Sequence, residues 1–186
     1  IFARSAAMAF NRYVDRDIDN ENPRTAKVRK IPNGTIKAQS ALVFVIINCF
    51  LFIVCTWLIN PLCFLLSPVA IIIILGYSYT KRFTALCHLI LGLGLALAPI
   101  GSYLAVSNEF SLIPVLFSTA VLFWVSGFDI IYSLQDERFD KKQQLYSIPV
   151  IIGKKNALQV AKFLHLISLI ILVNSGYIGE FGGLYW

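Results

Sequence analysis

Five long apolar segments constrain this chain more than any other feature. Each is about twenty residues long, which is the length that an α-helix needs to cross a hydrocarbon core of about 30 Å. Hydrophobic residues make up 58% of the 186 residues and charged residues 14%, whereas a soluble domain carries about a quarter charged residues. The chain is therefore predicted to be an all-α, polytopic transmembrane helical bundle, with spans at residues 40–59, 62–79, 84–106, 112–135 and 158–177.

A sixth helix is predicted at the start of the chain, over residues 1–19. The first residue is Ile1, already inside a helical pattern, and the chain ends at Trp186 directly after a span. We expect the sequence to be the middle of a longer protein.

Basic residues lie in every second connection between the spans. Seven Lys or Arg lie between residues 12 and 37, two at Lys81 and Arg82, and five between 138 and 155. By the positive-inside rule these connections are cytoplasmic. This topology, together with attraction to anionic headgroups, accounts for the net charge of +6, and no nucleic-acid partner is expected.

Acidic residues form two clusters on this same cytoplasmic side. Their spacings of four and seven place each cluster on one helix face. Carboxylates that point at one volume repel each other unless a cation neutralises them, and Mg²⁺ prefers oxygen ligands and shares its shell with substrate phosphates. Two metal-binding groups are therefore predicted, although either cluster alone also fits a solvated acidic surface. The clusters are Asn11, Asp15 and Asp19, and Asp129, Asp136 and Asp140.

A cationic corner lies between the two clusters in the sequence. Tyr77 and Lys81 are four residues apart at the end of a span, and Arg82 follows directly. Lys81 and Arg82 could bind the oxygens of a diphosphate that the metal ions leave free. They also fit the role of ordinary anchors at the membrane interface.

Arg4 is a separate candidate. It lies in an apolar helix seven residues before Asn11, hence on the same face and deeper in the membrane, where a buried cation is costly and usually functional. Arg4 could bind a substrate carboxylate or pair with an aspartate of the second cluster.

Together these residues predict a site at the cytoplasmic face for an amphipathic diphosphate whose tail lies in lipid. Metal ions would favour departure of the diphosphate and formation of an allylic cation. An apolar and aromatic chamber would protect that cation from water.

At these residues the sequence resembles the UbiA superfamily of intramembrane prenyltransferases. The resemblance covers essentially the whole chain. Three ordered motifs carry it: Asn11-x3-Asp15-x3-Asp19 followed by Pro23-Arg24-Thr25 and Ile31-Pro32-x-Gly34, then Tyr77-x3-Lys81-Arg82, then Asp129-x6-Asp136-x3-Asp140.

The resemblance implies one transmembrane prenyltransferase domain over residues 1–186, truncated at both ends, with about six helices of a nine-helix bundle. It implies transfer of a polyprenyl group from polyprenyl diphosphate to an aromatic acid, either 4-hydroxybenzoate or a related hydroxynaphthoate, in ubiquinone or menaquinone biosynthesis. Two Mg²⁺ ions would bridge the diphosphate and the aspartates. By the same resemblance Asn11, Asp15 and Asp19 form one metal half-site and Asp136 and Asp140 the other, while Asp129 orients the acceptor or takes up its ring proton.

Two branches of the superfamily remain open. The run RDID followed by RT is similar to the first motif of protohaem farnesyltransferases. The second aspartate motif, with Tyr146-Ser147-Ile148-Pro149, is similar to 4-hydroxybenzoate polyprenyltransferases and their menaquinone-pathway relatives and contains more matched positions. In one departure, no aspartate stands four residues before Asp136, where an unbroken DxxxDxxxD would place its first aspartate.

Three other classes of protein remain as alternatives. A transporter or channel would place its polar residues near mid-membrane in broken helices. A CDP-alcohol phosphotransferase would need one long Asp/Gly/Ala/Arg signature, which this sequence lacks. A structural membrane subunit would use the aspartates as loop charges.

Overall fold

The computed structural model describes all 186 residues, and all of its regular structure is α-helical. This confirms the predicted all-α, polytopic class. The eight helices are α1 (Phe2–Val14), α2 (Arg16–Glu21), α3 (Ala38–Ile59), α4 (Pro61–Thr80), α5 (Cys87–Ser107), α6 (Leu112–Ser133), α7 (Glu137–Lys142) and α8 (Ile148–Ile178).

Five of these helices, α3, α4, α5, α6 and α8, are long and apolar enough to cross a membrane. Four of them match the predicted spans to within three residues at each end. The last span was predicted to begin at residue 158, and that start is wrong, because α8 begins ten residues earlier at Ile148. The hydropathy pattern assigned Lys154 and Lys155 to a loop, but a helix can continue past the membrane surface with charged residues on it.

The two additional helices, α2 and α7, arise because both aspartate-bearing segments break. The prediction of one helix over residues 1–19 is wrong: α1 ends at Val14, and Asp15 has φ −89° and ψ 7°. The prediction that α6 reaches residue 135 is wrong as well. After Ser133 the amides of Leu134, Gln135 and Asp136 each donate to the carbonyl three residues before them, and these bonds form a tighter turn that separates α6 from α7.

The chain divides into two compact units, residues 1–79 and 80–186. In the first unit α1 packs against α3. A single residue, Asn60, separates α3 from α4; its extended backbone ends α3, and its side-chain oxygen accepts from the Cys63 amide at 2.8 Å. Pro61 at the first position of α4 needs no N–H partner, so this short turn leaves few backbone groups unsatisfied.

In the second unit α6 is central and packs against both α5 and α8. Small residues allow close contact, and hydroxyls join the helices: Ser168 Oγ donates to the Ala120 carbonyl at 2.8 Å, and Ser118 Oγ accepts from the Ile100 amide at 3.1 Å. Such contacts hold helices together in lipid, where burial of apolar surface contributes little to the free energy of helix association. Within α8, Gly153 has φ 76° and ψ 162°, and this kink requires a residue without a β-carbon.

Gly92 is predicted to be essential for the contact between α5 and α6. A β-carbon at Gly92 would lie 2.5 Å from the Leu122 carbonyl oxygen and would also overlap Ser126 Oγ. Gly92→Ala should therefore destabilise the protein by about 1–3 kcal/mol, measured by thermal unfolding in detergent. Gly101→Ala is the matched control, because Gly101 lies in the same helix and a β-carbon there meets nothing within 4 Å; equal melting temperatures of the two variants would refute the prediction.

Candidate functional site

The first acidic cluster keeps its four-residue spacing across the break between α1 and α2. The Asp15 amide donates to the Asn11 carbonyl at 3.0 Å, and the Asp19 amide donates to the Asp15 carbonyl at 2.7 Å. The main chain thus retains a helical hydrogen-bond register although the helix is interrupted. Asn11 and Asp15 also meet through their side chains, with Asn11 Nδ2 donating to Asp15 Oδ2 at 3.0 Å.

The motif residues that follow this cluster fold back onto it. Thr25 is buried, and its hydroxyl donates to the Asp19 carbonyl at 2.8 Å. The Arg24 amide donates to Asn22 Oδ1 at 3.0 Å, which forms a tight Asx turn. Asp19 itself is buried, and Arg29 Nη1 lies 3.4 Å from its Oδ2. The Pro23-Arg24-Thr25 motif therefore fixes the position of Asp19.

The second cluster is divided between two helices. Asp129 lies inside α6, and Asp136 directly precedes α7. Asp140 lies one turn further, and its amide donates to the Asp136 carbonyl at 2.8 Å. The turn after Ser133 separates Asp129 from the other two, so the prediction that all three share one helix face is wrong. Ser133 is buried and donates to the Ile130 carbonyl at 2.8 Å, as a helix-end residue.

Asp140 is fully buried and pairs with one of the predicted diphosphate-binding residues. Lys81 Nζ lies 2.7 Å from Asp140 Oδ1. The Lys81 carbonyl also accepts from the Tyr146 amide at 2.8 Å, which ties this corner to the segment after α7. Burial raises the pKa of the Asp140 carboxyl, and the Lys81 ammonium opposes part of this shift.

The remaining predicted residues occupy the ends of α1 and α4. Tyr77 lies in the last turn of α4 and is partly buried, and Arg82 is exposed just beyond that helix. Arg4 lies in the first turns of α1 and is exposed, so the burial predicted for it is wrong in this structure. Its role in binding an acceptor stays a prediction.

The fit of each acidic group to Mg²⁺ can be judged from its oxygens. Asp140 Oδ2 is buried and accepts no hydrogen bond, and Asp136 is close enough to influence its charge. This group therefore fits a hard cation. In the first group the Asn11 oxygen accepts from Arg12 Nη1 at 3.2 Å and the amide nitrogen faces Asp15, so the Asn11 oxygen has one acceptor position left for a metal.

Neither unit brings three or more His, Cys, Asp or Glu side chains together as a complete protein-only metal site. Mg²⁺ commonly keeps several waters and takes only one or two carboxylates together with substrate phosphates. Each group can therefore supply a partial shell for Mg²⁺, which waters or the phosphate oxygens of a bound ligand would complete.

The sequence did not predict the partner of Asp129. His88, near the start of α5, is 2% exposed, and its Nδ1 lies 2.7 Å from Asp129 Oδ2. Its Nε2 accepts from the Ile148 amide at 3.3 Å. The two residues are 41 positions apart, so no local spacing joins them; the available signal was an ionisable residue at the end of a membrane span.

A cavity of about 490 Å³ lies in the first unit, lined by Arg12, Arg29, Lys30 and apolar side chains such as Phe44. None of the predicted site residues lines it. The cavity therefore lies apart from the predicted site residues, and we assign no function to it.

The chain belongs to the UbiA prenyltransferase family, whose model matches residues 1–186. This confirms the resemblance found in the motifs. Membership favours a prenyltransferase over a transporter or a CDP-alcohol phosphotransferase, and the protein is an integral, multi-pass membrane protein.

Two curated relatives show how much of a family member is present. The 4-hydroxybenzoate octaprenyltransferase of Actinobacillus pleuropneumoniae serotype 5b (strain L20) is 32% identical over 182 residues, 97% of this chain and 61% of that protein. The enzyme of the same name from Aliivibrio fischeri (strain MJ11) is 30% identical over 188 residues, 100% of this chain and 64% of that protein. The chain thus spans about three fifths of the length of these relatives.

Solved structures share the fold. The apo structure of a UbiA homolog from Aeropyrum pernix K1 has a TM-score of 0.92 and 34% identity, and the match covers 99% of this chain and 70% of that one. A UbiA homolog from Archaeoglobus fulgidus bound to GPP and Mg²⁺ has a TM-score of 0.76 and 24% identity, over 95% of this chain and 63% of that one.

Lys81 is predicted to stabilise the metal-free protein by neutralising Asp140. Lys81→Met would leave a buried carboxylate without its ion-pair partner and should lower the free energy of unfolding by about 1–3 kcal/mol. The loss is limited to this range because Lys81 is partly exposed to solvent. The melting temperature in EDTA measures this loss, and Mg²⁺ should restore part of it by binding the same carboxylate. Lys142→Met removes the same charge from an exposed position at the end of α7; an equal loss in this control would contradict the prediction.

Proposed function

We propose that the protein is a Mg²⁺-dependent polyprenyltransferase that transfers a polyprenyl group from its diphosphate to an aromatic acid in quinone biosynthesis. The observation that carries this proposal is the pair of interrupted helices, α1–α2 and α6–α7, each of which holds carboxylates at its break. Family membership and the 4-hydroxybenzoate octaprenyltransferase relatives support it.

We assign metal binding to both acidic groups. Asn11, Asp15 and Asp19 would hold one ion, and Asp136 and Asp140 the other. Asp140 provides the main support, because its buried Oδ2 accepts no hydrogen bond and is suited to a hard cation. The A. fulgidus homolog, which shares the fold, is bound to GPP and Mg²⁺, in agreement with this assignment. When bound, Mg²⁺ would neutralise the diphosphate and so favour its departure.

The cationic corner would bind the diphosphate oxygens that the metal ions leave free. Lys81 and Arg82 supply positive charge at the end of α4, and Tyr77 in the last turn of that helix supplies a hydroxyl. Because the Lys81 side chain reaches Asp140 at 2.7 Å, an anion bound at the second acidic group lies within reach of its ammonium. By the positive-inside rule, the basic connections favour a cytoplasmic position for this mouth.

On the acceptor side we assign roles to Asp129 and Arg4. Asp129 would orient the acceptor hydroxyl or take up the ring proton after alkylation, since its carboxylate is only partly buried and is held by His88. Arg4 would bind the acceptor carboxylate, for which a guanidinium offers two parallel donors.

A direct test of this function uses membranes that contain the full-length protein. They receive labelled polyprenyl diphosphate with Mg²⁺ and then either 4-hydroxybenzoate or a hydroxynaphthoate, and the prenylated product is identified by mass. No prenylated aromatic product with either acceptor, together with farnesylation of protohaem, would replace the proposal by the protohaem farnesyltransferase alternative.

Loss of a metal-binding charge should abolish most of the activity. Asp15→Asn and Asp136→Asn should each lower turnover by about 100-fold or more, because each removes a carboxylate from a proposed ion, and EDTA should have the same effect. Asp17→Asn is the matched control in the first segment, since the Asp17 side chain is 80% exposed, and Glu137→Gln is the control in the second. Full activity of Asp136→Asn would refute the two-ion assignment.

Arg4→Leu should weaken binding of the acceptor and leave the KM for the prenyl donor nearly unchanged. Arg4→Lys should recover only part of the loss, because an ammonium cannot form the two parallel hydrogen bonds of a guanidinium. Initial rates measured as a function of each substrate give the two KM values. If Arg4 instead pairs with an aspartate, Arg4→Leu melts early and loses both substrates together, which would disprove the acceptor role.

A further inference from the structure

His88 joins three separate parts of the second unit. It lies in the first turn of α5, contacts Asp129 in α6 through Nδ1, and contacts the amide of Ile148, the first residue of α8, through Nε2. The ring is almost completely buried, with 3% of the side chain exposed, whereas Asp129 keeps 27% of its side chain exposed. A buried histidine with both nitrogens engaged is fixed in position and orientation.

The chemistry of its two partners determines which nitrogen carries the proton. A main-chain amide can only donate, so Nε2 must present a lone pair to Ile148. Nδ1 must then carry the proton, and it donates to the Asp129 carboxylate at 2.7 Å. The neutral Nδ1–H form is the arrangement that satisfies all three groups, and the amide of α8 selects it.

This arrangement has a consequence for Asp129. One carboxylate oxygen, Oδ2, is held by His88, and a carboxylate has further acceptor positions on its other oxygen. The histidine therefore sets the side-chain orientation of Asp129 and leaves Oδ1 as the oxygen for another ligand. The same relation is common at metal and catalytic sites, where a second group orients the one that touches the ligand.

We propose that His88 is a positioning residue that fixes Asp129 for its action on the aromatic acceptor. This inference rests on the proposed function. In the reaction the ring carbon forms a bond to the prenyl cation, the ring C–H bond then breaks, its electron pair restores the aromatic ring, and the proton passes to Asp129 Oδ1. His88 keeps its own proton throughout and holds Oδ2.

The test compares three variants of the full-length protein in membranes or detergent. His88→Leu removes both hydrogen bonds and should lower kcat by about 10–100-fold, with the KM for the prenyl donor changed by no more than about twofold. His88→Gln retains one donor and one acceptor and should recover most of kcat. His165→Leu is the matched control, because His165 is the other histidine of this chain and bonds to the Trp124 carbonyl in α6 rather than to Asp129.

A double variant separates positioning from packing. If His88 acts through Asp129, the double variant His88→Leu, Asp129→Asn should have the same kcat as Asp129→Asn alone, because both substitutions remove the action of the same carboxylate. The proposal would be overturned if the two substitutions lowered kcat independently, or if His88→Gln recovered none of the lost kcat. It would also be overturned if His88→Leu lowered the melting temperature and weakened binding of the prenyl donor in parallel.

A spectroscopic measurement keeps this inference distinct from the proposed function. With ¹⁵N-labelled histidine, the His88 signals, assigned by their absence in His88→Gln, should show a proton on Nδ1 and none on Nε2. In Asp129→Asn the Ile148 amide still selects this tautomer, but the Nδ1 proton should lose the low-field shift that a hydrogen bond to a carboxylate gives it, and an unchanged shift would overturn the pairing. A wild-type protein that shows this pattern but prenylates no aromatic acid would instead refute the proposed function.

Discussion

Polar groups in the hydrocarbon region have no water to bond with, and this constraint governs the structure more than any other. Backbone groups are satisfied within the helices, and polar side chains bond to carbonyls, as Asn48 does to Phe44 at 2.8 Å and Ser168 to Ala120 at 2.8 Å. Irregular backbone lies at the ends of the helices and, within α8, at the kink five residues after its start at Ile148. Asp15 and Asp136 lie at two of these interruptions. There the backbone can depart from helical geometry without leaving N–H groups unpaired in the hydrocarbon region.

The interruptions also explain how charged groups are kept in an otherwise apolar chain. Asp19 and Asp140 are both buried, and each lies close to a cation of its own unit, Arg29 at 3.4 Å and Lys81 at 2.7 Å. A buried carboxylate without such a partner is strongly destabilising. Each acidic group thus has a neighbouring cation that partly neutralises it in the absence of metal. A bound metal ion would add to this neutralisation.

Much of the fold could be predicted from the sequence because hydropathy alone defines a membrane span. Four of the five long helices were located in this way, and the acidic positions were identified from four-residue spacing. The break at Asp15 could not be predicted, because its hydrogen bonds to neighbouring turns still follow a helical register. The His88–Asp129 pair could not be predicted either: the two residues are 41 positions apart and meet only when α5 packs against α6.

The single-residue turn at Asn60 has a consequence for how the protein enters the membrane during synthesis. No Asp, Glu, Lys or Arg occurs between Lys37 and Lys81, so α3, Asn60 and α4 form one uncharged segment with positive residues only at its two ends. Because almost no polar chain has to cross the bilayer at the turn, the two helices can insert together as one unit, with Lys37 and Lys81 retained on the side from which they entered.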